Sequence, residues 1–455
     1  MRGNRRSARW IPRHARNGMA VAAVVVAAAL VSACGGGTAK LGSSGGSGTG
    51  ASTTSNMSLW LVNGGTNPPL LDAAAAFDKA HPGVKINITF LPNNNAGKQK
   101  LTIAMAGNQP PTMIVSSGGG TLKQYVQAGK VEPLETALSA YPGWQSKFLA
   151  ASFGDVTVNG KIYGIPVLGS QPALMFYSKP IFSKLHLSPP ATWDQFLADC
   201  ATIKKAGYIP LALGNAQGWP GLIWEEMLVD RLGGPSVMDS IVNGQSAQWD
   251  NPAFTKANTM IQQLVKDGYF QPGYSAVDYS NGEPNALMYT NKAAMQLQLN
   301  FLYSQMQTQD ASYISQGHLG WFAFPSVPGG TGNVNDEAGN VGQYALITSQ
   351  TPASVRKMAA EFLATMMPSA SYTKAMLGFD EVPLTTAAGA QLANTPDTSF
   401  TKFTYNLVAK APAYQLSWDA ALPPSDATTL LANLENVFVL KGSPQQFSSA
   451  MRAAG

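Results

Sequence analysis

The side chains of this chain with the clearest chemical potential are amides and indoles that follow a predicted strand. Asn215 and Trp219 come directly after the apolar run 209–213, and Trp224 lies on the helix predicted to start there. An amide can exchange hydrogen bonds with hydroxyl groups, and an indole can cover the apolar face of a ring. This combination predicts binding of an uncharged, hydroxyl-edged ring such as a sugar.

Strands and helices are predicted to alternate in the first third of the chain. Apolar or period-two runs at 59–62, 84–90 and 112–115 are each followed by residues with helical spacing. A β-α-β-α-β-α order is typical of a parallel, doubly wound sheet, in which ligands bind beyond the carboxyl ends of the strands.

Polar residues follow two of these predicted strands. Asn63 comes after the first strand, and Ser116 and Ser117 come after the third. We therefore predict that all three contact a ligand at one edge of the sheet. The glycine-rich segment 116–120 leaves a second, weaker possibility, which is an anion held at a helix N-terminus.

The N-terminal segment is typical of an exported protein. Six arginines precede residue 17, an apolar run covers 19–31, and small residues come before Cys34. The apolar run is too short to cross the ~30 Å hydrocarbon core of a membrane. We predict a signal peptide over residues 1–33. The residues around Cys34 resemble a bacterial lipobox, which implies a lipid anchor on Cys34, the alternative being an ordinary signal peptide that contains a cysteine.

A flexible tether and two lobes are predicted after the signal. Residues 34–56 are rich in Gly, Ser and Thr and would reach roughly 25 Å as a flexible coil. The part of the chain after residue 56 is longer than one hydrophobic core usually organises, since single cores stop growing at about 250–300 residues. We therefore expect two lobes.

The charge of the chain depends on the signal peptide. Removing residues 1–33 removes six arginines and no acid, which changes the formal net charge from +5 to −1. The positive charge of the full chain comes from the predicted signal peptide, so it does not indicate a nucleic-acid partner. Only Arg231, Arg356 and Arg452 remain, and arginine is the usual bidentate partner of carboxylate and phosphate. Their scarcity argues against an anionic ligand, although lysine could substitute.

Titratable residues give no pattern for a metal site or a nucleophile. After Cys34 the only histidines are His81, His186 and His318, and no CxxC or zinc spacing occurs. Cys200 is predicted to be a buried, inert side chain. We predict no metal, no cofactor and no catalytic residue.

Glycoside hydrolysis is the competing chemistry. It needs two carboxyl groups about 5–10 Å apart across the scissile bond. The pairs Glu225–Glu226 and Asp380–Glu381 are adjacent in sequence, and neighbours on a helix point in different directions. Glu225 and Glu226 are more simply interpreted as exposed helix charges, so an enzyme is not predicted.

Two segments also carry local structural signals. Asn159–Gly160 is a typical two-residue hairpin turn. Thr192 is a candidate helix N-cap, with Gln195 completing a capping box. Residues 159–166 read NGKIYGIP and residues 189–196 read PPATWDQF.

In their order and spacing, these two segments and several weaker ones resemble the carbohydrate-type extracellular solute-binding proteins of ATP-binding-cassette (ABC) importers, which include oligosaccharide-binding lipoproteins. The weaker matches are at 77–84, 107–112, 177–179, 292–295 and 359–363.

The resemblance implies an α/β fold of two hinge-linked lobes, of the type II periplasmic-binding-protein kind, with mostly parallel, doubly wound sheets. It places lobe I at residues 57–166 and 340–379, and lobe II at residues 167–339 and 380–455. Closure of the hinge around a ligand would be the mode of action.

The resemblance also adds binding residues. It places Gln171 just past the hinge, at a position where a maltodextrin-binding member of the family carries a carboxylate. It places Asn300 and Phe301 where the family usually has a stacking tryptophan, and it places Trp418 on a late helix that supplies another ring.

The resulting hypothesis is a monomeric, lipid-anchored receptor on the outer face of the cell membrane. It would bind a neutral mono- or oligosaccharide and deliver it to the membrane subunits of an ABC importer. A surface glycoside hydrolase remains the alternative, as does the same fold with a peptide, a polyamine or iron as its ligand.

Overall fold

The computed structural model describes residues 55–62, 67–92, 94–395 and 399–454. The signal peptide, Cys34, most of the predicted tether and Asn63 lie outside the described residues. The strands are β1 (Ser55–Val62), β2 (Val84–Leu91), β3 (Met113–Ser116), β4 (Thr157–Val158), β5 (Lys161–Ile162), β6 (Ile165–Leu168), β7 (Gln171–Ser178), β8 (Ile209–Leu211), β9 (Ala293–Leu299), β10 (Leu319–Phe322), β11 (Glu337–Asn340), β12 (Gln343–Ile347) and β13 (Tyr414–Leu416).

Helices connect most of these strands. The α-helices are α1 (Pro68–Ala80), α2 (Asn95–Ala106), α3 (Gly119–Gln127), α4 (Leu134–Ala137), α5 (Lys179–Lys184), α6 (Trp193–Lys205), α7 (Trp219–Gly233), α8 (Ser236–Val242), α9 (Pro252–Lys266), α10 (Glu283–Tyr289), α11 (Leu302–Gln309), α12 (Ala311–Ser315), α13 (Ala353–Met366), α14 (Ala370–Gly378), α15 (Ala388–Leu392), α16 (Phe400–Lys410), α17 (Trp418–Ala421), α18 (Pro424–Phe438) and α19 (Pro444–Ala454). Within the described part of the chain, no helix has both the length and the apolar character needed to span a membrane.

The first sheet has the strand order β2-β1-β3-β12-β6. β1 pairs in parallel with β2 and β3, as the β-α-β-α-β order predicts. β12 is antiparallel to β3 and to β6, because the chain re-enters this sheet from the opposite direction. The carboxyl ends of β1 and β3 therefore lie at the edge where β12 begins.

The second sheet has the order β13-β11-β7-β9-β8, and β10 pairs with the far end of β7. β8 and β9 are parallel to each other, whereas β7 is antiparallel to β9. The carboxyl ends of β8 and β9 consequently lie at the edge where β7 begins. The α/β class is confirmed, but both sheets are mixed rather than mostly parallel, because β12 and β7 are antiparallel to their neighbours.

Two short segments join the two sheets. β6 continues into β7 through residues 169–170, and β11 continues into β12 through residues 341–342. A third segment runs beside the first, since Ser170 N donates to Val382 O at 2.9 Å. A Cβ atom at Gly169 would lie 2.8 Å from Val382 N, so this close approach requires glycine. We call residues 169–170, residues 341–342 and residues 380–382 the first, second and third crossings. The lobe boundaries predicted from sequence remain a proposal.

The local signals that the sequence carries are confirmed. Asn159 and Gly160 have φ angles of 51° and 73° and join β4 to antiparallel β5. Thr192 Oγ1 accepts a hydrogen bond from Gln195 N at 3.3 Å and caps α6. The Gln195 side chain in turn accepts from Ala191 N at 3.0 Å, one residue earlier than in a standard capping box. Cys200 is buried in the core, as predicted.

The interpretation of Glu225 and Glu226 as exposed helix charges is wrong. Both side chains are fully buried on α7, which packs between β9, α9 and α18. Glu226 Oε1 accepts hydrogen bonds from Ser417 Oγ and Trp418 N, both at 2.7 Å, and so holds the start of α17. The Glu225 carboxyl group lies beside the Asn258 side chain, which opposes the rise in the pKa of Glu225 that burial causes.

A second group of charges is buried at the other end of α7. Arg231 Nη1 donates to Asp230 Oδ1 at 2.8 Å and to Asp336 O at 2.9 Å. Glu337 on β11 lies near enough for the Arg231 charge to oppose the rise in its pKa to about 8 that burial causes. We call Asp230, Arg231, Asp336 and Glu337 the buried charge cluster, and all four are almost completely inaccessible.

Glu225→Gln is expected to make the stability of the protein less dependent on pH. Burial raises the pKa of Glu225 to about 8. In the unfolded chain Glu225 ionises at about pH 4.5, whereas in the folded protein it stays protonated up to about pH 8. Its contribution to the free energy of unfolding is therefore complete below about pH 4.5 and is lost as the pH rises to about 8.

Glutamine cannot ionise. The free energy of unfolding of the Glu225→Gln variant should therefore rise relative to that of the unmodified protein between about pH 5 and about pH 8. The expected gain in free energy of unfolding exceeds ~1.4 kcal/mol, which corresponds to one pKa unit. Urea denaturation at the two pH values measures it. An identical difference between the two proteins at both pH values would contradict the prediction.

Candidate functional site

Three aromatic rings meet beyond the carboxyl ends of β8 and β9. Trp219 is the first residue of α7, and its ring centroid lies 5.2 Å from that of Tyr279 and 6.2 Å from that of Phe301. Tyr279 and Phe301 are 6.2 Å apart. We call these residues the aromatic triad. Trp219 and Phe301 are half-buried and therefore partly accessible, whereas Tyr279 is buried.

Amide and carboxyl groups surround the triad. The Gln217 side chain donates to Asp278 Oδ1, and its oxygen accepts from Tyr279 N at 3.2 Å. The Tyr279 hydroxyl donates to Gln305 Oε1 at 2.8 Å. These bonds fix the ring of Tyr279 and leave polar groups beside accessible aromatic faces. Such an arrangement suits a ring with an apolar face and a hydroxyl edge.

Asn215 is predicted to contact the ligand, but its side chain is buried and bonded within the protein. Its side chain is 1% exposed. Its oxygen accepts from Gly221 N at 2.8 Å and its nitrogen donates to Glu435 Oε2 at 3.0 Å. The amide therefore ties the first turn of α7 to α18, and its hydrogen-bonding capacity is largely used within the protein.

Trp224 and Trp418 are core residues and not accessible stacking rings. Trp224 is 1% exposed and contacts Phe270 and Phe324 edge-on. Trp418 is fully buried and packs against Phe254. The spacing of these tryptophans along helices is consistent with core packing as well as with ligand binding, and here packing decides their position.

The structure brings Gln171 and Asn300 together with the crossings. Asn340 Nδ2 donates to Gln171 Oε1 at 2.7 Å. Asn300 Nδ2 donates to Ser170 O at 3.2 Å, whereas its Oδ1 atom is buried without a partner among the described residues. Since Phe301 follows Asn300, the aromatic triad and the crossings lie next to each other along one edge of the second sheet.

Ser116 and Ser117 lie at the matching edge of the first sheet and are half-buried. Ser116 Oγ accepts from Gly118 N at 3.1 Å, and Ser117 Oγ accepts from Gln343 Nε2 at 3.4 Å. The helix α3 that follows packs against α17, and a side chain at Gly119 would collide with Ala420 O. This carbonyl oxygen beside the start of α3 carries a partial negative charge and occupies the space an anion would need, which argues against an anion there.

The third crossing carries the pair Asp380–Glu381. Glu381 Oε1 accepts from Asn67 Nδ2 at 2.7 Å and its Oε2 accepts from Gly169 N at 3.0 Å. Thr401 Oγ1 donates to Asp380 Oδ1 at 2.6 Å. The two carboxyl groups thus bind opposite sides of the crossing, and neither is arranged as a free acid beside the aromatic triad.

Tyr279 is the ring of the aromatic triad that sequence reasoning missed. It lies in a short 3-10 turn, Tyr279–Asn281, where neither helical nor strand periodicity marks it. Its only sequence signal is Asp278, whose side chain accepts from Ser280 N at 2.7 Å and caps that turn. Contact with Trp219 across 60 positions comes from tertiary packing.

Comparison with known proteins gives a consistent result. A family model described as bacterial extracellular solute-binding protein matches residues 63–367. A putative binding protein of Brucella abortus (strain 2308) is 27% identical over 276 residues, which is 60% of this chain and 64% of the relative. A diacetylchitobiose-binding protein of Streptomyces coelicolor is 24% identical over 256 residues, 51% of this chain and 50% of the relative. The matches therefore span less than two thirds of these relatives.

Solved structures match over a greater length. One, from work on xylan utilization by the thermophilic bacterium Caldanaerobius polysaccharolyticus, has a TM-score of 0.77 and 27% identity, and the match covers 88% of this chain and 99% of that chain. A chitin oligosaccharide-binding protein has a TM-score of 0.76 and 23% identity, with 88% and 97% covered. The chain thus has the two-lobe fold that these proteins share.

Proposed function

This chain belongs to the bacterial extracellular solute-binding proteins, and from that premise we propose that it binds a neutral mono- or oligosaccharide for an ABC importer. The family consists of transport binding proteins and not of enzymes. The descriptions of the similar proteins mention xylan, chitin oligosaccharides and raffinose, which supports an oligosaccharide as a first candidate.

The observation that carries the proposal is the aromatic triad with its polar surroundings. Two half-buried rings, Trp219 and Phe301, leave accessible apolar faces, and Gln217 lies beside them. A sugar ring presents an apolar C–H face and a hydroxyl edge, which match these two kinds of surface. We propose Ser116, Ser117, Gln171 and Asn300 as further contacts, and we propose that Cys34 carries the lipid anchor.

Binding would act by closing the two lobes. The crossings connect the two sheets, and a ligand in contact with both sheets favours the closed arrangement by its difference in affinity for the two states. The membrane subunits of the importer would then recognise the closed form. The lobe boundaries given above are part of this proposal.

A thermal-shift panel tests the proposed ligand class. The panel contains xylotriose, diacetylchitobiose, raffinose and galactose, with galacturonate and spermidine as charged controls. The protein is the chain that begins after Cys34, which includes every described residue. A sugar present at about 100 times its Kd should add about 2.7 kcal/mol to the free energy of unfolding.

Stabilisation by a charged control and by none of the neutral sugars would contradict the proposed ligand class. Incubation of the same protein with xylotriose, followed by chromatography, tests the hydrolase alternative. The expected result is unchanged xylotriose. Release of shorter sugars would contradict the proposal that the protein is a receptor.

A further inference from the structure

Three of the buried polar atoms that lack a hydrogen-bond partner among the described residues lie beside the crossings. Asp155 Oδ2, Tyr344 Oη and Asn300 Oδ1 are all buried and have no partner among the described residues. Buried polar groups are normally paired, and leaving one unpaired costs about 1–3 kcal/mol. Unlike the unpaired atoms in the core around α7, these three lie at the edges where we propose that the ligand binds, which makes a ligand group a candidate partner for them.

Asp155 lies at the predicted ligand edge of the first sheet. It belongs to the 3-10 segment Ala150–Val156. A side chain at Gly118 would collide with the backbone oxygen of Asp155 and would lie 3.1 Å from its Cβ. Gly118 directly follows Ser116 and Ser117, so the Asp155 carboxyl group is next to the serines that we propose as ligand contacts.

Tyr344 directs its hydroxyl group to the same place. Tyr344 on β12 pairs with Ser116 on β3, and its side chain is fully buried. A Cβ atom at Gly342 would lie 2.8 Å from Tyr344 Oη, so the ring extends along the second crossing. Burial raises the pKa of Tyr344, and the nearby Asp155 charge raises it further.

Tyr414 brings a second hydroxyl group from the other sheet. Its Oη atom donates to Asn340 O and accepts from Ser170 Oγ, both at 3.1 Å. Burial raises the pKa of Tyr414, with smaller contributions from the charges of Glu337 and Asp155. Asp155, Tyr344 and Tyr414 therefore form one group, which we call the crossing cluster, with members from both sheets.

The chemistry of the crossing cluster is that of a hydrogen-bond acceptor. A carboxylate accepts only, as does the amide oxygen of Asn300, which Ser170 connects to Tyr414. The partners missing from Asp155 and Asn300 are consequently donors, whereas the Tyr344 hydroxyl group can either donate or accept. An anionic ligand would be repelled by Asp155, whereas a ligand hydroxyl group can donate to it.

We propose that the crossing cluster is a specificity-determining part of the binding site, in which Asp155 accepts a hydrogen bond from a hydroxyl group of the bound sugar and Tyr344 orients that hydroxyl. The inference rests on the proposed function. It adds that one hydroxyl at the crossing side is required, and that ligands without a donor at that position are rejected.

Isothermal titration of xylotriose and diacetylchitobiose into the Asp155→Asn variant measures how much the Asp155 carboxylate contributes to the affinity. Asparagine keeps the shape and replaces one acceptor oxygen by a donor nitrogen, so affinity should fall about tenfold, as for loss of one charge-assisted hydrogen bond. Tyr344→Phe should also lower the affinity, by about fivefold. The matched control is Asp194→Asn, on the exposed side of α6, which should leave the affinity unchanged.

Monodeoxy analogues of the sugar that binds separate direct contact from a structural effect. One analogue should bind the unmodified protein about tenfold more weakly and be insensitive to Asp155→Asn, because the same hydrogen bond is already lost. If Asp155→Asn weakens the binding of every analogue by the same factor, the effect of the substitution is structural and the inference is overturned.

Other outcomes decide between the two levels of the hypothesis. If the unmodified protein binds neither sugar, nor any neutral sugar of the panel above, the proposed function fails and this inference fails with it. If the unmodified protein binds, and both Asp155→Asn and Tyr344→Phe bind equally well, only the inference is overturned. Melting curves without sugar establish that each variant is folded.

Discussion

Replacing Arg231 by methionine is expected to lower the free energy of unfolding by about 3–5 kcal/mol, the usual cost of removing one partner from a buried ion pair. Arg231 is 2% exposed and supplies the only positive charge in the buried charge cluster. Methionine fills a similar volume, so loss of packing contributes little. The loss comes from the carboxyl groups of Asp230 and Glu337, which remain buried without a cation.

The pH dependence of this loss identifies its cause. Burial raises the pKa of Asp230 to about 7 and that of Glu337 to about 8, and Arg231 opposes both shifts. Without Arg231 both pKa values rise further. Because a raised pKa removes stability as the pH rises, the variant should lose more at about pH 8 than at about pH 5, where protonated carboxyl groups need no cation.

Urea denaturation at the two pH values tests Arg231→Met, with Arg452→Met as the matched control. Arg452 forms an ion pair with Asp250 that is largely exposed, so its loss should cost less than ~1 kcal/mol at either pH. Equal losses for Arg231→Met at both pH values would mean that packing, and not uncompensated charge, causes the destabilisation.

Local patterns predicted much of the fold because they report local physics. The first three strands, the Asn159–Gly160 turn and the Thr192 cap depend on residues within a few positions of one another. The prediction that Glu225 and Glu226 are exposed is wrong because charge alone does not decide exposure. The available signal is that apolar residues occur on every side of α7 beside its four charged residues, which is typical of a buried helix.

The candidate site was less predictable because long-range packing creates it. Trp219 and Phe301 were found from strand ends and from motif resemblance, and the structure places them together. Tyr279 and Asp155 lie in irregular segments without periodicity, and each meets its neighbours only after folding. Asn215 and Trp418 show the converse, since a suitable residue after a strand can be required by the core instead.

Trp219→Ala is expected to weaken sugar binding more than any other single change at the site. Trp219 contributes the larger of the two accessible rings of the aromatic triad. Aromatic residues at the centre of a binding site typically cost 2 kcal/mol or more when truncated. The affinity for the sugar that binds best in the panel should therefore fall by about 30-fold or more.

The same variant should also lose some stability without ligand, because Trp219 packs against Tyr279 and Phe301. Trp321→Ala provides the matched control, since Trp321 is also half-buried but lies on β10, which pairs with the far end of β7 from the crossings. It should show a similar loss of stability with unchanged affinity. If titration calorimetry finds that both variants keep the affinity of the unmodified protein, Trp219 serves packing alone and the sugar binds elsewhere. A selective loss with Trp219→Ala assigns the stacking surface to the edge that β8 and β9 share.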